Sequence, residues 1–442
     1  MFIYSQKKLI DIASTMLDLA RQAGATSAET DVYESVGQDI SVRLQKLENI
    51  EYQQDTGLEI MAYVGHRKGV ASTTDFSPAS LKTTAEAAVA IARYSEEDAC
   101  AELAPAERMA KNIGDLDIYH EWRISPEDAT QLALRCEDAA LSEDALISNS
   151  DGASVSVHHG QSVYANTHGF CAYDKRTRHG FSCTAVASDE QGMQRESWGD
   201  YARSHEDLQT PEEVGSIAAK RTLARLHSGS LKTGVYPVIF ERNVARSLIF
   251  HLTKALSGSV LYRKRSFLQD AMGKKIMPDF VHLREEPHLK RTFSTTYFDD
   301  DGIATAPRDI IQHGEVQSYF LSHYTAKKLG MVSTANAGGL HHLVLQATVP
   351  DLKTLLQQMG TGLLITDLMG QGVNILTGDY SRGAAGFWVE NGMIAYPVHE
   401  MTIAGNLSEM FRNILGIAND ALPHSSHDIG SILIEKITVA SA

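Results

Sequence analysis

Residues 378–414 have the sequence GDYSRGAAGFWVENGMIAYPVHEMTIAGNLSEMFRNI, which combines strong strand, turn and helix signals. Alternating apolar residues flank Asn391 and Gly392, a pair that tolerates the positive φ of a tight turn and therefore predicts a β-hairpin. Asn406 followed by Glu409 predicts the start of a helix, and the apolar residues after it recur on one helical face. The segment is thus predicted to be a hairpin that leads directly into a short helix.

Outward from this hairpin, the same periodicities predict an α+β protein with three successive units. Residues 1–120 form an N-terminal α+β domain in which helices lie on an antiparallel sheet. Residues 121–230 predict a middle helix-sheet block, and residues 231–442 predict a β-rich C-terminal domain. Within this last domain, residues 242–258 have the apolar spacing of an amphipathic helix.

The composition restricts the class of protein and its partners. The 442 residues include 40 Lys and Arg against 55 Asp and Glu, and the net charge of −15 argues against a nucleic-acid partner. Four cysteines are too few for a disulfide framework, and no apolar stretch is long enough to span a membrane. The first residues lack the charged-then-apolar order of a signal peptide. We therefore expect a cytoplasmic protein without a membrane partner.

The 18 histidines raise the question of a metal site, but their spacing matches no metal motif. His-Glu pairs begin at residues 120, 205 and 399, and none has the second histidine one helical turn later that a zincin requires. The Asp-Asp-Asp-Gly run at 299–302 lacks calcium-loop spacing and favours a solvated hairpin turn. His158 and His159 precede a glycine and are interpreted as a turn. A site assembled from distant histidines stays open.

One short segment groups polar side chains that suit ligand binding. Asp379, Tyr380, Ser381 and Arg382, followed by Gly383, supply an acid, a phenol, a hydroxyl and a guanidinium. Such groups can hold an extended peptide or a carboxylate, so these five residues are predicted to bind substrate. The alternative is a hydrogen-bonded loop in which Asp379 pairs with Arg382 to hold the turn. Composition and spacing do not decide between the two.

Long matches extend from this segment over much of the chain. Residues 378–414, together with residues 257–276, 299–330 and 359–383, closely resemble the PmbA (TldE) branch of the TldD/PmbA metalloprotease family. The resemblance is strong over residues 235–435 and looser, in the same order, over the rest. It implies a C-terminal β-rich domain of the TldD/PmbA type and a dimer around an internal cavity.

The resemblance also implies a function. Chains of the TldD type carry zinc on an H-E-x-x-x-H helix, with a later cysteine before a glycine, and activate water for peptide hydrolysis. The PmbA branch pairs with a TldD-type subunit in a heterodimeric protease for unfolded peptides. That protease is linked to maturation of a peptide antibiotic that targets DNA gyrase and to degradation of an antitoxin, hence the label modulator of DNA gyrase.

The metal positions of the family are replaced in this chain. Aligned on Gly258, the two histidines fall on Ile249 and Lys254, the glutamate falls on Phe250, and the cysteine falls near Ile429. Apolar side chains have no lone pair for Zn²⁺, and a lysine ammonium repels the ion. We therefore expect no metal, no cofactor and no catalytic residue in this chain, with zinc in the TldD-type partner.

The leading hypothesis is a non-metal-binding subunit of a TldD–PmbA-type protease that is inactive without its partner, so its own enzyme status stays open. It would form a heterodimer with the TldD-type subunit, with a homodimer as the alternative when it is alone. One alternative is a self-sufficient metallopeptidase homodimer that uses scattered histidines, namely His251, His323, His341 and His342. Another alternative is a peptide-binding module without catalysis.

Overall fold

The computed structural model describes residues 2–190 and 192–441, in which helices and strands alternate along the chain. The helices are α1 (Gln6–Ala23), α2 (Pro78–Tyr94), α3 (Pro126–Leu141), α4 (Pro211–Leu223), α5 (Arg242–Ala255), α6 (Gly258–Leu261), α7 (His323–Leu329), α8 (Leu352–Met359) and α9 (Leu407–Arg412). A Ser or Thr hydroxyl caps each of the first four helices by accepting a backbone N–H of the first turn. Over the described residues, no helix has the length and apolar character needed to cross a bilayer.

The first large sheet is antiparallel and has the order β3-β2-β1-β4-β5-β6. Its strands are β1 (Ser27–Arg43), β2 (Lys46–Val64), β3 (Arg67–Thr73), β4 (Ile147–Asn166), β5 (Cys171–Asp189) and β6 (Gly192–Ala202). Because β1 pairs with β4, the strands of residues 1–120 and those of residues 121–230 belong to one continuous sheet.

Both helix pairs cover the same face of this sheet. Val32 and Ile40 lie on one face of β1, since their positions differ by an even number of residues. Val32 packs in the core beneath α1 and α2, whereas Ile40 packs beneath α3 and α4. The opposite face carries polar side chains such as Asp31 and Asp39. The sheet is thus apolar toward its helices and polar on the other side.

The C-terminal strands form a curled sheet and a smaller one. They are β7 (Gly234–Phe240), β8 (Leu283–Glu285), β9 (Arg308–Gln312), β10 (Glu315–Val316), β11 (Leu343–Leu345), β12 (Gly362–Met369), β13 (Asp379–Glu390), β14 (Met393–Asn406), β15 (Ile414–Ile417) and β16 (Ile432–Ser441). The larger sheet has the order β14-β13-β12-β7-β16-β15, and β14 also pairs with β16, so the sheet curls on itself. The smaller sheet has the order β10-β9-β8-β11. The protein is therefore α+β, as predicted.

The hairpin predicted from the sequence is confirmed. β13 and β14 are joined by Asn391 (φ 49°) and Gly392 (φ 74°), which are both left-handed as a type I′ turn requires. Asn406 caps α9 by accepting the N–H of Ser408 (3.0 Å), as expected. The interpretation of His158 and His159 as a turn was wrong. Both residues lie within β4, where the ladders to β1 and β5 hold the backbone extended.

A close contact between α3 and α4 depends on Gly215. A Cβ atom at this position would lie 2.0 Å from the carbonyl oxygen of Cys136, which is backbone and has no rotamer to change. Alanine would gain about 1 kcal/mol of helix propensity, but forcing the helices apart costs about 1–3 kcal/mol. We expect Gly215→Ala to lower the melting temperature in a thermal scan. Lys220→Ala on the exposed face of α4 is the control, and an unchanged or higher midpoint for Gly215→Ala would refute the packing argument.

Candidate functional site

The structure divides the five predicted substrate-binding residues between two faces of β13. Asp379 and Ser381 are exposed on one face. Tyr380, which is 1% exposed, and the half-buried Arg382 lie on the other face, because side chains alternate along a strand. Gly383 begins the pairing with β12. Of the five, Tyr380 and Arg382 are thus directed toward the interior of the C-terminal domain.

The main-chain N–H and C=O groups at the start of β13 form hydrogen bonds on both sides of the strand. β14 pairs with the strand from Asp379 onward. On the other side, the Ser381 N–H donates to the carbonyl of Gly372 (2.7 Å), and the Asn374 N–H donates to the carbonyl of Asp379 (2.9 Å). Residues 379–382 therefore form an interior strand rather than a sheet edge.

Asp379 holds the loop that precedes β13. Its carboxylate accepts hydrogen bonds from Thr377 Oγ1 (2.6 Å) and Asn406 Nδ2 (3.3 Å). Arg382 Nη2 donates instead to the carbonyl of Leu368 (3.3 Å). The alternative in which Asp379 pairs with Arg382 is not observed, because residues three positions apart in a strand lie on opposite faces.

A polar cluster forms where β13 meets α5. The ring centroids of His251, from α5, and Tyr380 are 6.1 Å apart, and Arg382 is close enough to lower the pKa of both side chains. Within the described residues, the buried atoms His251 Nε2, Tyr380 Oη and Arg382 Nε form no hydrogen bond of standard geometry, although Arg382 is near enough to Tyr380 to act on it as a hydrogen-bond partner. Buried polar atoms normally find a partner, so these three atoms make the cluster a candidate site for an ordered water or a polar ligand group. We call these three residues the His–Tyr–Arg cluster.

The protonation states of the cluster suit binding. Burial, assisted by the charges of Arg382 and Lys254, lowers the pKa of His251 to about 4, so the imidazole is neutral at neutral pH. Burial raises the pKa of Tyr380 to about 12, despite the opposing effect of Arg382, so the phenol keeps its proton. A phenol and a guanidinium are hydrogen-bond donors. The cluster can therefore hold a peptide carbonyl or a carboxylate.

The residues that the resemblance assigns to the family's metal positions do not fit zinc. Ile249 and Ile429 are buried, at 1% and 2% exposure, and Phe250 is 56% exposed. Lys254 is exposed near the end of α5. None of these side chains can donate a lone pair to Zn²⁺ in its ordinary state. Across residues 2–190 and 192–441, no three His, Cys, Asp or Glu side chains are grouped to hold a metal ion.

The other histidines considered from the sequence have different partners from His251. His323 Nε2 lies 3.1 Å from Glu102, His341 Nε2 lies 2.6 Å from the carbonyl of Ala335, and His342 Nε2 lies 3.3 Å from Asp428. Only His251 joins Tyr380 and Arg382. The sequence analysis missed this association, because about 130 residues separate α5 from β13 and no local pattern reports the contact.

A second polar region lies between the first sheet and the turn at residues 299–302. Glu29 and Asp31 from β1 line a cleft together with Asp300 and Asp301. The tight turn expected from the sequence is confirmed, since the Gly302 N–H donates to the carbonyl of Asp299 (2.8 Å), but its expected exposure to solvent was wrong. Asp299 is 2% exposed and accepts the N–H of Ile303 (2.9 Å), because the turn packs beneath the first sheet. Burial and Asp301 raise the pKa of Asp299 to about 8.

The raised pKa values in this carboxylate cleft predict that the stability of the protein depends on pH. Burial raises the pKa of Glu29 to about 7 from its usual 4.5, although Tyr164 and Tyr63 donate hydrogen bonds to it. The folded protein then binds more protons than the unfolded chain between pH 4.5 and 7, so stability falls as the pH rises through this window. We expect the stability of Glu29→Gln, relative to wild type, to rise by about 2–3 kcal/mol between pH 5 and pH 8.

Melting temperatures at several pH values measure this difference. A stability difference between Glu29→Gln and wild type that is the same at every pH comes from altered hydrogen bonds to Tyr63 and Tyr164. The part of the difference that changes with pH comes from titration of the carboxyl group. Asp55→Asn, at an exposed position of the same sheet, controls for the change in net charge. A difference between Glu29→Gln and wild type that stays constant from pH 5 to pH 8 would contradict the raised pKa.

Three family models match successive parts of the chain. They describe the PmbA/TldA metallopeptidase domain 1 over residues 28–92, the central domain over residues 119–226 and the C-terminal domain over residues 233–441. Together they cover most of the sequence, and the third contains α5, β13 and the His–Tyr–Arg cluster.

Similar proteins agree with these models. A metalloprotease PmbA homolog of Haemophilus influenzae is 44% identical over 98% of this chain and 96% of its own length. The metalloprotease PmbA of Escherichia coli O157:H7 is 44% identical over 99% of this chain and 97% of its length. A crystal structure from Bacteroides thetaiotaomicron, described as a modulator of DNA gyrase, superposes with a TM-score of 0.93 at 28% identity, covering 99% of this chain and all of that one. The chain therefore belongs to the PmbA branch of the TldD/PmbA metallopeptidase family.

Proposed function

We propose that this chain is the non-metal-binding subunit of a TldD–PmbA-type metallopeptidase that cleaves unfolded peptides. Zinc and the general base would come from a TldD-type partner in a heterodimer. The observation that carries the proposal is on α5: the family's ligand positions hold Ile249, Phe250 and Lys254, while His251 of the same helix joins a polar cluster with Tyr380 and Arg382. In this proposal α5 contributes a polar side chain to the cluster rather than metal ligands.

Peptide binding in this proposal uses side chains at the cluster. Donors from Tyr380 and Arg382 suit a peptide carbonyl or carboxylate, whereas the main chain of residues 379–382 is already paired. Strand addition needs a free edge, and β2 offers one. Among the described residues, β3 covers the outer side of β2 only over Leu58–Val64 and leaves residues 46–57 uncovered. An extended peptide could pair there with little dependence on its sequence.

Reconstitution tests the proposal. The purified chain and a TldD-type subunit from the same genome are assayed separately and together with an unfolded peptide, and zinc is counted in each sample. We expect the chain alone to be metal-free and inactive, and the pair to be active and sensitive to EDTA. Robust EDTA-sensitive cleavage by this chain alone, with stoichiometric zinc, would overturn the proposal in favour of a self-sufficient metallopeptidase homodimer.

A third outcome would distinguish the remaining alternative, a peptide-binding module, from the two kinds of peptidase. If the chain binds peptide but no mixture with the TldD-type subunit cleaves it, the chain is a peptide-binding module without catalysis. Size-exclusion chromatography of the same samples distinguishes heterodimer from homodimer. The cellular roles in this proposal are cytoplasmic maturation of a peptide antibiotic and degradation of an antitoxin, and both need peptides that are unfolded when cleaved.

A further inference from the structure

A groove away from the His–Tyr–Arg cluster contains arginines without acidic partners. It is a cavity of about 350 Å³ between β5, β6 and the first turns of α5, and the loop of residues 422–426 forms its third wall. Arg178, Tyr201, Arg246 and Phe293 line it. We call this cavity the arginine groove.

Arg246 enters the groove from α5 as a half-buried cation. Its Nη2 donates to Ser426 Oγ (3.1 Å), and burial lowers the pKa of its guanidinium. In the part of the chain that the structure describes, Arg246 forms no ion pair with a carboxylate, unlike its helix neighbour Arg242, which lies 3.5 Å from Glu241. A partly desolvated charge without a counter-ion is costly, and a bound anion would offset that cost.

Arg178 enters the groove from β5 in a stacked orientation. Its guanidinium carbon lies 4.5 Å from the ring centroid of Tyr201 and 5.7 Å from that of Phe293. Within the described residues it also forms no ion pair. Stacking on an aromatic ring orients the guanidinium plane and leaves the N–H groups at its edge available, which is the geometry that binds a carboxylate through two hydrogen bonds.

The surroundings of the two arginines keep the groove positive. Arg203, which is 4% exposed, lies 4.8 Å from the Phe293 ring and donates to main-chain carbonyls, so it adds charge without needing the ligand. Asp200 also lines the groove, and its Oδ2 accepts the N–H of Gln209 (2.7 Å). Among the residues that line the groove, two arginines therefore face one aspartate, in a chain whose net charge is −15.

We infer that the arginine groove binds a carboxylate group of an extended peptide through Arg178 and Arg246. This carboxylate is either the C-terminus of the peptide or an acidic side chain. The inference rests on the proposed function for the peptide nature of the ligand, and it adds a second anchoring point outside the cluster.

Direct binding to the purified chain tests this inference without the partner or any peptidase activity. Fluorescence anisotropy measures the affinity of a labelled peptide with a free C-terminus, of its C-terminal amide, and of a version whose acidic side chains are replaced by amides. The proteins compared are wild type, Arg246→Gln, Arg178→Gln and Arg246→Lys. Arg123→Gln is the control, since Arg123 is exposed and already paired with Glu121.

We expect Arg246→Gln to weaken binding of the carboxylate peptide about tenfold or more, with Arg178→Gln acting in the same direction and Arg246→Lys keeping part of the affinity. The peptide that loses the relevant carboxylate should bind weakly to wild type and show no further loss in Arg246→Gln. This comparison tells the C-terminus from a side chain.

Two results would overturn the inference. The first is equal affinity of wild type, Arg246→Gln and Arg178→Gln for every peptide. The second is Arg246-dependent binding of inorganic phosphate alone, with no carboxylate peptide bound. A chain that binds carboxylate peptides through Arg246 but shows no peptidase activity with a TldD-type subunit would refute the proposed function and leave this groove intact.

Discussion

Arg382→Ala is expected to reduce kcat/KM of the reconstituted pair about 10- to 100-fold while leaving the melting temperature of this chain nearly unchanged. The loss of one charge-assisted hydrogen bond to substrate costs about 1.5–3 kcal/mol, which corresponds to that range of rates. The fold should tolerate the change, because Arg382 is half-buried and its hydrogen bond to the fold, from Nη2 to the carbonyl of Leu368, is long at 3.3 Å. Steady-state kinetics and a thermal scan measure the two quantities.

Two faces of the same strand provide the matched controls. Asp379→Asn and Ser381→Ala change predicted binding residues on the exposed face, and we expect each to alter kcat/KM less than threefold. His251→Ala should act in the same direction as Arg382→Ala, because both residues belong to the His–Tyr–Arg cluster. A large loss of stability in Arg382→Ala would assign this residue a structural role. If the exposed-face variants and the cluster variants reduced kcat/KM equally, the result would contradict a specific role of the His–Tyr–Arg cluster in substrate binding.

Glu137→Ala is expected to destabilise the protein by about 3 kcal/mol. The carboxylate of Glu137 in α3 is fully buried and accepts the N–H groups of Leu44 (2.8 Å) and Gln45 (2.7 Å), which form the turn between β1 and β2. Hydrogen bonds to a charged acceptor contribute about 1.5–3 kcal/mol each. Leu44 and Gln45 also have positive φ values of 48° and 59°, which non-glycine residues adopt at a cost. Glu137 therefore holds a strained turn against α3.

Urea unfolding followed by circular dichroism measures the change. Glu137→Gln retains one acceptor oxygen and should lose about half as much stability as Glu137→Ala. Gln45→Gly in the Glu137→Ala background should recover about 1 kcal/mol, because glycine adopts positive φ without strain. The idea fails if Glu137→Ala unfolds at the same urea concentration as wild type.

Local sequence was sufficient for features whose causes lie within a few residues. The hairpin at Asn391 and Gly392 and the start of α9 at Asn406 came from turn and cap chemistry, and both are confirmed. The family came from long ordered matches, and the 44% identity over nearly the whole chain bears it out. The resemblance assigns Ile249 and Lys254 to metal positions, and neither side chain is a zinc ligand in its ordinary state, so the absence of metal stays a prediction.

Features that depend on contacts between distant residues were decided only by the tertiary structure. The sequence grouped Asp379 with Arg382, but strand alternation separates them and packing on α5 places Arg382 beside His251. The acidic run at 299–302 was expected in solvent, and its burial against β1 raises the pKa of its first carboxyl group. The arginine groove needs residues from β5, α5 and the loop at 422–426. Periodicity predicts on which face of a helix or strand a side chain lies, whereas only packing determines which other residues that face contacts.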